Sequence, residues 1–496
     1  MKDRKPSSLM NRSARTKTPT HSALTFGAAQ ARMLFQRALA LHQHGRLVEA
    51  AQLYAQVVAL QPRHADAWHL RGMVAAQMGD PVRALPLVEK SLQLDPTNPA
   101  VHNTLGNALL TLDRLDEALA SYERALALNP DHADALYNRG NVLKRLNRPD
   151  EALASYDRAL ALRPEWAEAY GNRGIVHHVL GGLGAALADY DRAIALSPGL
   201  AEPYNNRGRL LCDLRRFTEA LRDLDRAVEL NPGYAEAHHQ RGHALRELKR
   251  LDEALHACGR AVQLQPTSAS FVASWLGLRM MLCDWGGWKD EVERLMGLFH
   301  DADPDGPAPF SLLSMVDRPD VHRRAARAWA AARCPKAAPR PPAPPREGRT
   351  RIGYYSADFH DHATMFLMAR LFEVHDRRRF EFTAFSFGPE SDGAMRQRLV
   401  AAVDRFVDVR EHTDEEVVAL SRELGIDIAV DLKGATGGER IGIFAGRPAP
   451  VQVQYLGYPG TLGAPFIDYV VADATVIPPS ERVWYDEKVV WLPHSY

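Results

Sequence analysis

Cysteine is scarce in this chain of 496 residues: there are four, at Cys212, Cys258, Cys283 and Cys334. No two form a Cys-x-x-Cys pair, which argues against a structural zinc site and a disulfide framework and points to a reducing, cytoplasmic setting. An excess of either charge is also missing. The 61 Lys and Arg balance the 61 Asp and Glu, so bulk electrostatics favour neither nucleic acid nor a membrane surface. No run approaches the roughly 18 apolar residues of a membrane span. Residues 1 to about 27 carry Lys2, Arg4, Lys5, Arg12, Arg15 and Lys17 against Asp3, with frequent Ser, Thr and Pro. Without an apolar segment this is no secretory signal, and residues 1–30 read as a disordered basic tail.

What the chain has is a period. Glycine recurs every 34 residues at Gly72, Gly106, Gly140, Gly174, Gly208 and Gly242. Alanine holds a second slot at Ala50, Ala84, Ala118, Ala152, Ala186, Ala220 and Ala254, and proline a third from Pro62 to Pro266. A 34-residue period with small residues at fixed slots resembles the tetratricopeptide repeat, a pair of antiparallel helices per unit. Glycine in the first helix and alanine in the second suit a close backbone approach. Proline closes each unit because it cannot continue a helix. Seven units are expected over residues 31–268, stacked as a superhelical α-solenoid with a concave inner surface. The first lacks the glycine and has Ala38 instead.

One polar slot stands out. Asn138, Asn172 and Asn206 each lie two residues before the glycine, with Gln240 in the next unit. An amide both donates and accepts, so a ladder of amides on the concave surface suits the backbone of an extended peptide. Leu70 and Thr104 occupy the slot in earlier units.

From Ser268 the beat fails. Residues 269–333 read as a helical cap, with helices expected over Phe271–Met281, Asp290–His300 and Val321–Arg333. The run Asp301 to Gly306 mimics the start of a calcium loop, but its twelfth position would be Leu312 where glutamate is needed. Prolines then crowd between Pro335 and Pro345, so residues 334–349 read as an extended linker marking a domain boundary. Beyond it, strands alternate with helices: Arg351–Ser356, Phe380–Phe387, Ile426–Leu432, Val451–Leu456, Tyr469–Ala472 and Val489–Leu492 are the clearest strands. That alternation implies a parallel sheet with helices on both faces. Ligands in such sheets sit beyond the carboxyl ends of the strands. Three loops qualify there: Ser356 to Thr364, Asp431 to Gly438, and Leu456 to Gly463.

Taken in order, Asp358-Phe359-x-x-His362, Asp431-Leu-x-Gly434-x-Thr436, Arg447-Pro-Ala-Pro-Val-Gln452 and Gly457-Tyr-Pro-Gly-Thr461 resemble the protein O-GlcNAc transferases. The preceding tetratricopeptide array and the Leu282-Cys-Asp-Trp285 segment between the two parts are similar to bacterial members. The resemblance implies an inverting, metal-independent glycosyltransferase that takes N-acetylglucosamine from UDP-GlcNAc, a co-substrate, to Ser or Thr of proteins, with no further cofactor. Residues 350–496 would form the N-terminal Rossmann-like lobe of a GT-B enzyme. His362 would then be the catalytic histidine near the acceptor hydroxyl, a role imidazole suits near neutral pH. Thr436, Pro459, Gly460 and Thr461 would line the sugar-donor cleft, and Asn138, Asn172 and Asn206 would hold the acceptor peptide.

Two departures from that pattern carry expectations. Ala435 stands where the family has Tyr or His. The family continues into a second lobe that holds uridine and diphosphate, so residues 1–496 are expected to be the front part of such an enzyme, with little transfer of their own. The alternatives are a SPINDLY-type protein O-fucosyltransferase using GDP-fucose, and a non-enzymatic protein-binding scaffold. A metal site at Asp358, His360 and His362 lacks a third histidine or a helical His-Glu-x-x-His.

Overall fold

A computed structural model of the chain describes residues 21–298, 308–334, 336–342 and 348–494. Two compact units divide it, Met1–Asn206 and Arg207–Tyr496. The expected calcium-loop mimic at Asp301–Gly306, most of the basic tail and part of the proline-rich stretch lie outside the described residues.

Helices pair as seven hairpins. They are α1 (His21–Gln43) with α2 (Leu47–Leu60), α3 (Ala65–Gln77) with α4 (Pro81–Leu94), α5 (Pro99–Thr111) with α6 (Leu115–Leu128), and α7 (Ala133–Arg145) with α8 (Pro149–Leu162). Then come α9 (Ala167–Val179) with α10 (Leu183–Leu196), α11 (Ala201–Asp213) with α12 (Phe217–Leu230), and α13 (Ala235–Glu247) with α14 (Leu251–Leu264). The first helix begins at His21, inside the segment whose composition suggests a tail.

The repeat slots have physical occupants. Every slot alanine from Ala50 to Ala254 is fully buried. Each slot glycine faces the side chain sixteen residues later, in the second helix of its own hairpin. A methyl added at Gly106, Gly140 or Gly174 would come within 2.5–2.7 Å of the ring of Tyr122, Tyr156 or Tyr190. Glycine is thus the seat for a fully buried tyrosine, as well as a point of backbone approach. The phenols of Tyr122 and Tyr156 donate to Asn107 and Asn141, each at 2.7 Å. The residues before the slot prolines, such as Gln61, Asn129 and Gln265, have ψ between 77° and 95°. Proline disfavours helical backbone in its predecessor, so the second helix stops there.

The second unit begins within α11. Its hairpins run into a cap of α15 (Ala269–Met281), α16 (Trp288–Leu298), α17 (Pro309–Met315) and α18 (Pro319–Arg333). Phe271, Val272, Leu276, Leu295, Leu312 and Val321 form the cap's core. The short α17 has no counterpart in the sequence expectation, because its seven residues fall below a readable period. Farther along α18, Trp329 and Ala330 enter the core of the α/β lobe instead. The passage from cap to lobe therefore lies within α18. The proline-rich residues after it lie along the lobe: Ala338 N–H donates to Ala445 C=O at 2.8 Å.

The lobe is a seven-stranded parallel sheet in the order β3-β2-β1-β4-β5-β6-β7. Its strands are β1 (Thr350–Ser356), β2 (Phe380–Ser386), β3 (Arg405–Asp408), β4 (Ile428–Asp431), β5 (Val451–Tyr455), β6 (Tyr469–Ala472) and β7 (Lys488–Trp491). Between them lie α19 (Ala363–Val374), α20 (Ala394–Ala402), α21 (Asp414–Glu423) and α22 (Ile441–Ala445). Adjacent residues of β1 feed opposite faces, as the two-residue pleat requires. Tyr354 packs with Met365, Met368 and Phe372 of α19. Tyr355 packs with Phe385, Phe444 and Val417 on the other side. An α-solenoid followed by a Rossmann-like α/β lobe is thus the fold, as the periodicities imply.

Candidate functional site

Strand order reverses between β1 and β4, because the chain moves outward through β2 and β3 before returning beside β1. In a parallel sheet that reversal opens a crevice at the strands' carboxyl ends. The first two candidate loops leave these two strands, and the third leaves β5 next door.

The loops are joined by a buried ion pair. Lys433, two residues past β4, donates Nζ to Asp358 Oδ2 at 2.9 Å. Both side chains are about nine-tenths buried. Asp358 also accepts from Thr364 Oγ1 at 3.4 Å, and its N–H donates to Ser356 Oγ at 2.9 Å. Removing either charge would leave the other buried and unpaired, which is strongly destabilising. Beneath the pair, burial pushes the Asp431 carboxyl up to about 6, against the N–H donors of Lys433 and Gly434 and the Lys433 charge.

His362 caps the N-terminus of α19. Its Nδ1 accepts from Thr364 N–H at 3.2 Å and lies 3.7 Å from Asp358 Oδ2. The ring is exposed and meets His360 edge to face at 5.5 Å. Because Nδ1 accepts the cap hydrogen bond, the neutral ring carries its hydrogen on Nε2. The outward nitrogen is then a donor, and accepting a hydroxyl proton requires the cap to give way or the ring to shed that hydrogen first. Asp358 is committed to Lys433 and Thr364, so it does not present a free carboxylate beside His360 and His362.

The remaining expected donor-lining residues divide in two. Thr436 is half-buried, and its hydroxyl donates to Lys433 C=O at 2.8 Å. Pro459 is exposed at the tip of the third loop, its carbonyl held by Tyr485 OH at 2.8 Å. Gly460 and Thr461 are buried. Gly460 C=O accepts from Gln454 Nε2 at 3.0 Å, and Thr461 Oγ1 donates to Glu487 Oε2 at 2.7 Å. Burial pushes the Glu487 carboxyl up, opposed by the Thr461 hydroxyl and by backbone donors including Leu462 N–H. Gly460 and Thr461 therefore shape the turn from beneath. The second and third loops pack against each other: a methyl on Gly434, at φ +54°, would meet Tyr458 Cβ at 2.5 Å. Leu456 opens the third loop at φ +68°, a left-handed conformation costly for a branched side chain. Ala435 is buried.

In the repeats, the side chains of Asn138 and Asn172 reach back to the preceding unit. Asn138 Nδ2 donates to Asn103 and Asn107 at 3.1 and 3.0 Å. Asn172 donates to Tyr137 OH at 2.8 Å and accepts from Lys144 Nζ at 2.7 Å. Asn206 Oδ1 faces Asn205 Nδ2 at 3.5 Å. All three are half-buried, and those of Asn138 and Asn172 are engaged in bonds between repeats.

The residues that sequence reasoning left without a role are Lys433, Asp431 and Glu487. Each is a charged side chain buried at a strand end, and a strand pattern by itself does not reveal a partner 75 residues away.

A tetratricopeptide array followed by a parallel sheet with three motif-bearing loops around its reversal point defines a repeat protein with a Rossmann-like α/β lobe. Comparison with known proteins narrows the class. Residues 337–496 match the model of glycosyl transferase family 41, and residues 103–164, 140–201 and 205–269 match a tetratricopeptide repeat model. An Arabidopsis thaliana protein named "Probable UDP-N-acetylglucosamine--peptide N-acetylglucosaminyltransferase SEC" is 40% identical over 154 residues, which is 30% of this chain and 16% of that protein. The Solanum lycopersicum protein of the same activity name, SPINDLY, is 32% identical over 148 residues, 29% of this chain and 16% of that one. An O-GlcNAc transferase structure from Thermobaculum terrenum is 28% identical, covering 73% of this chain and 58% of that one at a TM-score of 0.35. The match thus spans about a sixth of the length of these curated relatives. The chain thus carries tetratricopeptide repeats followed by glycosyl transferase family 41 sequence in its lobe.

Proposed function

We propose that the lobe forms the acceptor-side wall of a protein O-glycosyltransferase. It would transfer N-acetylglucosamine from UDP-GlcNAc to Ser or Thr hydroxyls of proteins held along the repeats. The observation that carries this is the Asp358–Lys433 pair, which ties the His362 loop to the Thr436 loop at the sheet's reversal point. In an inverting transfer the hydroxyl oxygen attacks the anomeric carbon, the bond to UDP breaks, and the hydroxyl proton passes to a base. His362 is the base this reading assigns, its ring exposed and its loop tied to the Thr436 loop through the Asp358–Lys433 pair. The 40% identity to the SEC relative favours GlcNAc. The 32% identical SPINDLY relative also carries an N-acetylglucosaminyltransferase name, so the second reading, with GDP-fucose as donor, rests on the sequence resemblance alone. Four free cysteines, two of them buried, suit a cytoplasmic residence. Among the described residues no helix is long and apolar enough to cross a membrane.

Donor diphosphate needs charge stabilisation, and the resemblance places those groups in a second lobe. Transfer is therefore to be compared with and without such a lobe joined to residues 1–496. The test is radiolabel transfer from UDP-GlcNAc and from GDP-fucose, by residues 1–496 and by a chain completed with a family second lobe. Transfer by the completed chain that falls about 100-fold or more in His362→Ala supports the reading. No transfer from either donor would leave the scaffold as the surviving function, and transfer only from GDP-fucose would select the second reading.

A further inference from the structure

Arginine precedes the slot glycine in five units, at Arg71, Arg139, Arg173, Arg207 and Arg241. In four of them the chain supplies polar partners sixteen residues before or after, on the flanking second helices. Arg173 pairs with Asp157 and Asp189, each at 2.6 Å. Arg207 pairs with Asp223 at 2.7 Å and Arg241 with Asp225 at 2.6 Å. Arg139 donates to Ser155 at 2.8 Å and lies 3.5 Å from Glu123.

Arg71 breaks the rule. The two corresponding positions are Ala55 and Leu87. Among the described residues its guanidinium has no ion pair or hydrogen bond, and the ring of Trp68 lies 5.8 Å away. Among the described residues the Arg83 guanidinium likewise has no ion pair or hydrogen bond. Burial and the Arg83 charge both push Arg71 below its ordinary value. Asp80 lines the same depression, but its carboxylate already caps α4 through Arg83 N–H at 2.9 Å. The depression, about 420 Å³, is walled by Ala55 and Leu87 and rimmed by exposed Val48 and Met78. Two guanidinium groups without an ion pair, in a largely apolar depression whose one carboxylate, Asp80, caps a helix, form a site where other units of the same array pair the arginine with a carboxylate.

We propose that this depression docks an acidic–apolar peptide segment, with one carboxylate side chain between Arg71 and Arg83 and aliphatic neighbours against Val48, Met78 and Leu87. Charge complementarity selects the carboxylate. The apolar wall selects a peptide over a small, strongly hydrated anion such as phosphate, which would lose water there without compensation. The site stands apart from the transfer reading and does not depend on it.

The experiment is a fluorescence-anisotropy titration of the full chain with a blocked hexapeptide bearing one glutamate among leucines, and with its glutamine counterpart. The glutamate peptide is expected to bind about tenfold or more tightly, as a charge-assisted hydrogen bond implies. Ala55→Asp restores the carboxylate seen in the other units and should abolish that preference while the helical melt is kept or raised. Arg71→Gln should abolish it as well, and it decides the matter if Ala55→Asp folds poorly. Equal affinity for the two peptides, a preference that survives the substitutions, or displacement of the peptide by equimolar inorganic phosphate would overturn the proposal.

Discussion

Gly140 shows how a single residue carries the repeat register. Its missing side chain is the space that the Tyr156 ring occupies, at 2.6 Å from where a methyl would lie. Gly140→Leu is expected to cost about 3 kcal/mol or more, at the upper end of overpacking penalties, because the ring is fully buried. A melting temperature equal to wild type would contradict the register. Asp431 carries a different consequence. Burial raises its carboxyl from 3.8 to about 6. Between those values the folded lobe holds a proton that the unfolded chain has released, so stability falls as pH rises through the window. Asp431→Asn removes the titration and is expected to flatten the slope between pH 4 and 6, a component of about 3 kcal/mol. An unchanged pH slope in denaturant unfolding would remove Asp431 as its source.

The turn between the two helices of each hairpin repeats more strictly than its sequence does. Gly45, Gly79, Asp113, Asn147, Gly181, Arg215 and Lys249 all have φ between +55° and +79°. They are spaced 34 residues apart, and Cys283 continues the series at +56°. The conformation recurs while the residue type drifts, so this fourth register was invisible to a search for repeated letters. It shows that α15 ends as a repeat helix ends, although glycine and proline have dropped out. Lys249→Gly is expected to stabilise its hairpin by about 0.5–1 kcal/mol, since relief of left-handed strain outweighs the added freedom of the unfolded chain. Thermal melting of the single variant checks it; a lower melting temperature would mean that Lys249 makes a compensating contact. The slot asparagines teach the converse lesson. Their spacing was legible, but the bonds Asn138 and Asn172 make between repeats were not, because those partners lie 28 to 35 residues away.

Within the second unit, α18 is shared by two cores. Val321 and Ala325 belong to the cap, and Trp329 and Ala330 to the lobe. Arg323 and Arg327 of this helix converge on Asp486, with Arg327 Nε at 2.6 Å. Burial opposes ionisation of Asp486, but the two arginines outweigh it and hold the carboxyl below its ordinary value. Its contribution is therefore present above the ordinary carboxylate range and lost as pH falls through the lowered value. Asp486→Asn is expected to cost about 1–2 kcal/mol at neutral pH through weakened charged hydrogen bonds. Faster hydrogen exchange in α18 would register it, and exchange unchanged from wild type would show that apolar packing alone holds the helix. The proline run led the sequence expectation to a boundary after Arg333. The helix before that run already packs into the lobe through Trp329 and Ala330, which its sequence hides because a helix periodic along its whole length gives no sign that its two halves face different cores.

The sequence alone determined the repeats, the parallel α/β lobe and the three loops, since each is written in a local period or a short motif. Small residues every 34 positions and strands alternating with helices need no distant information. Tertiary structure alone decided that Lys433 pairs with Asp358, that Thr461 rests on Glu487, and that Arg71 is left without the carboxylate its counterparts have. Those facts join residues far apart in the chain, and only folding brings such charges out of water and obliges each to find a partner or go without one.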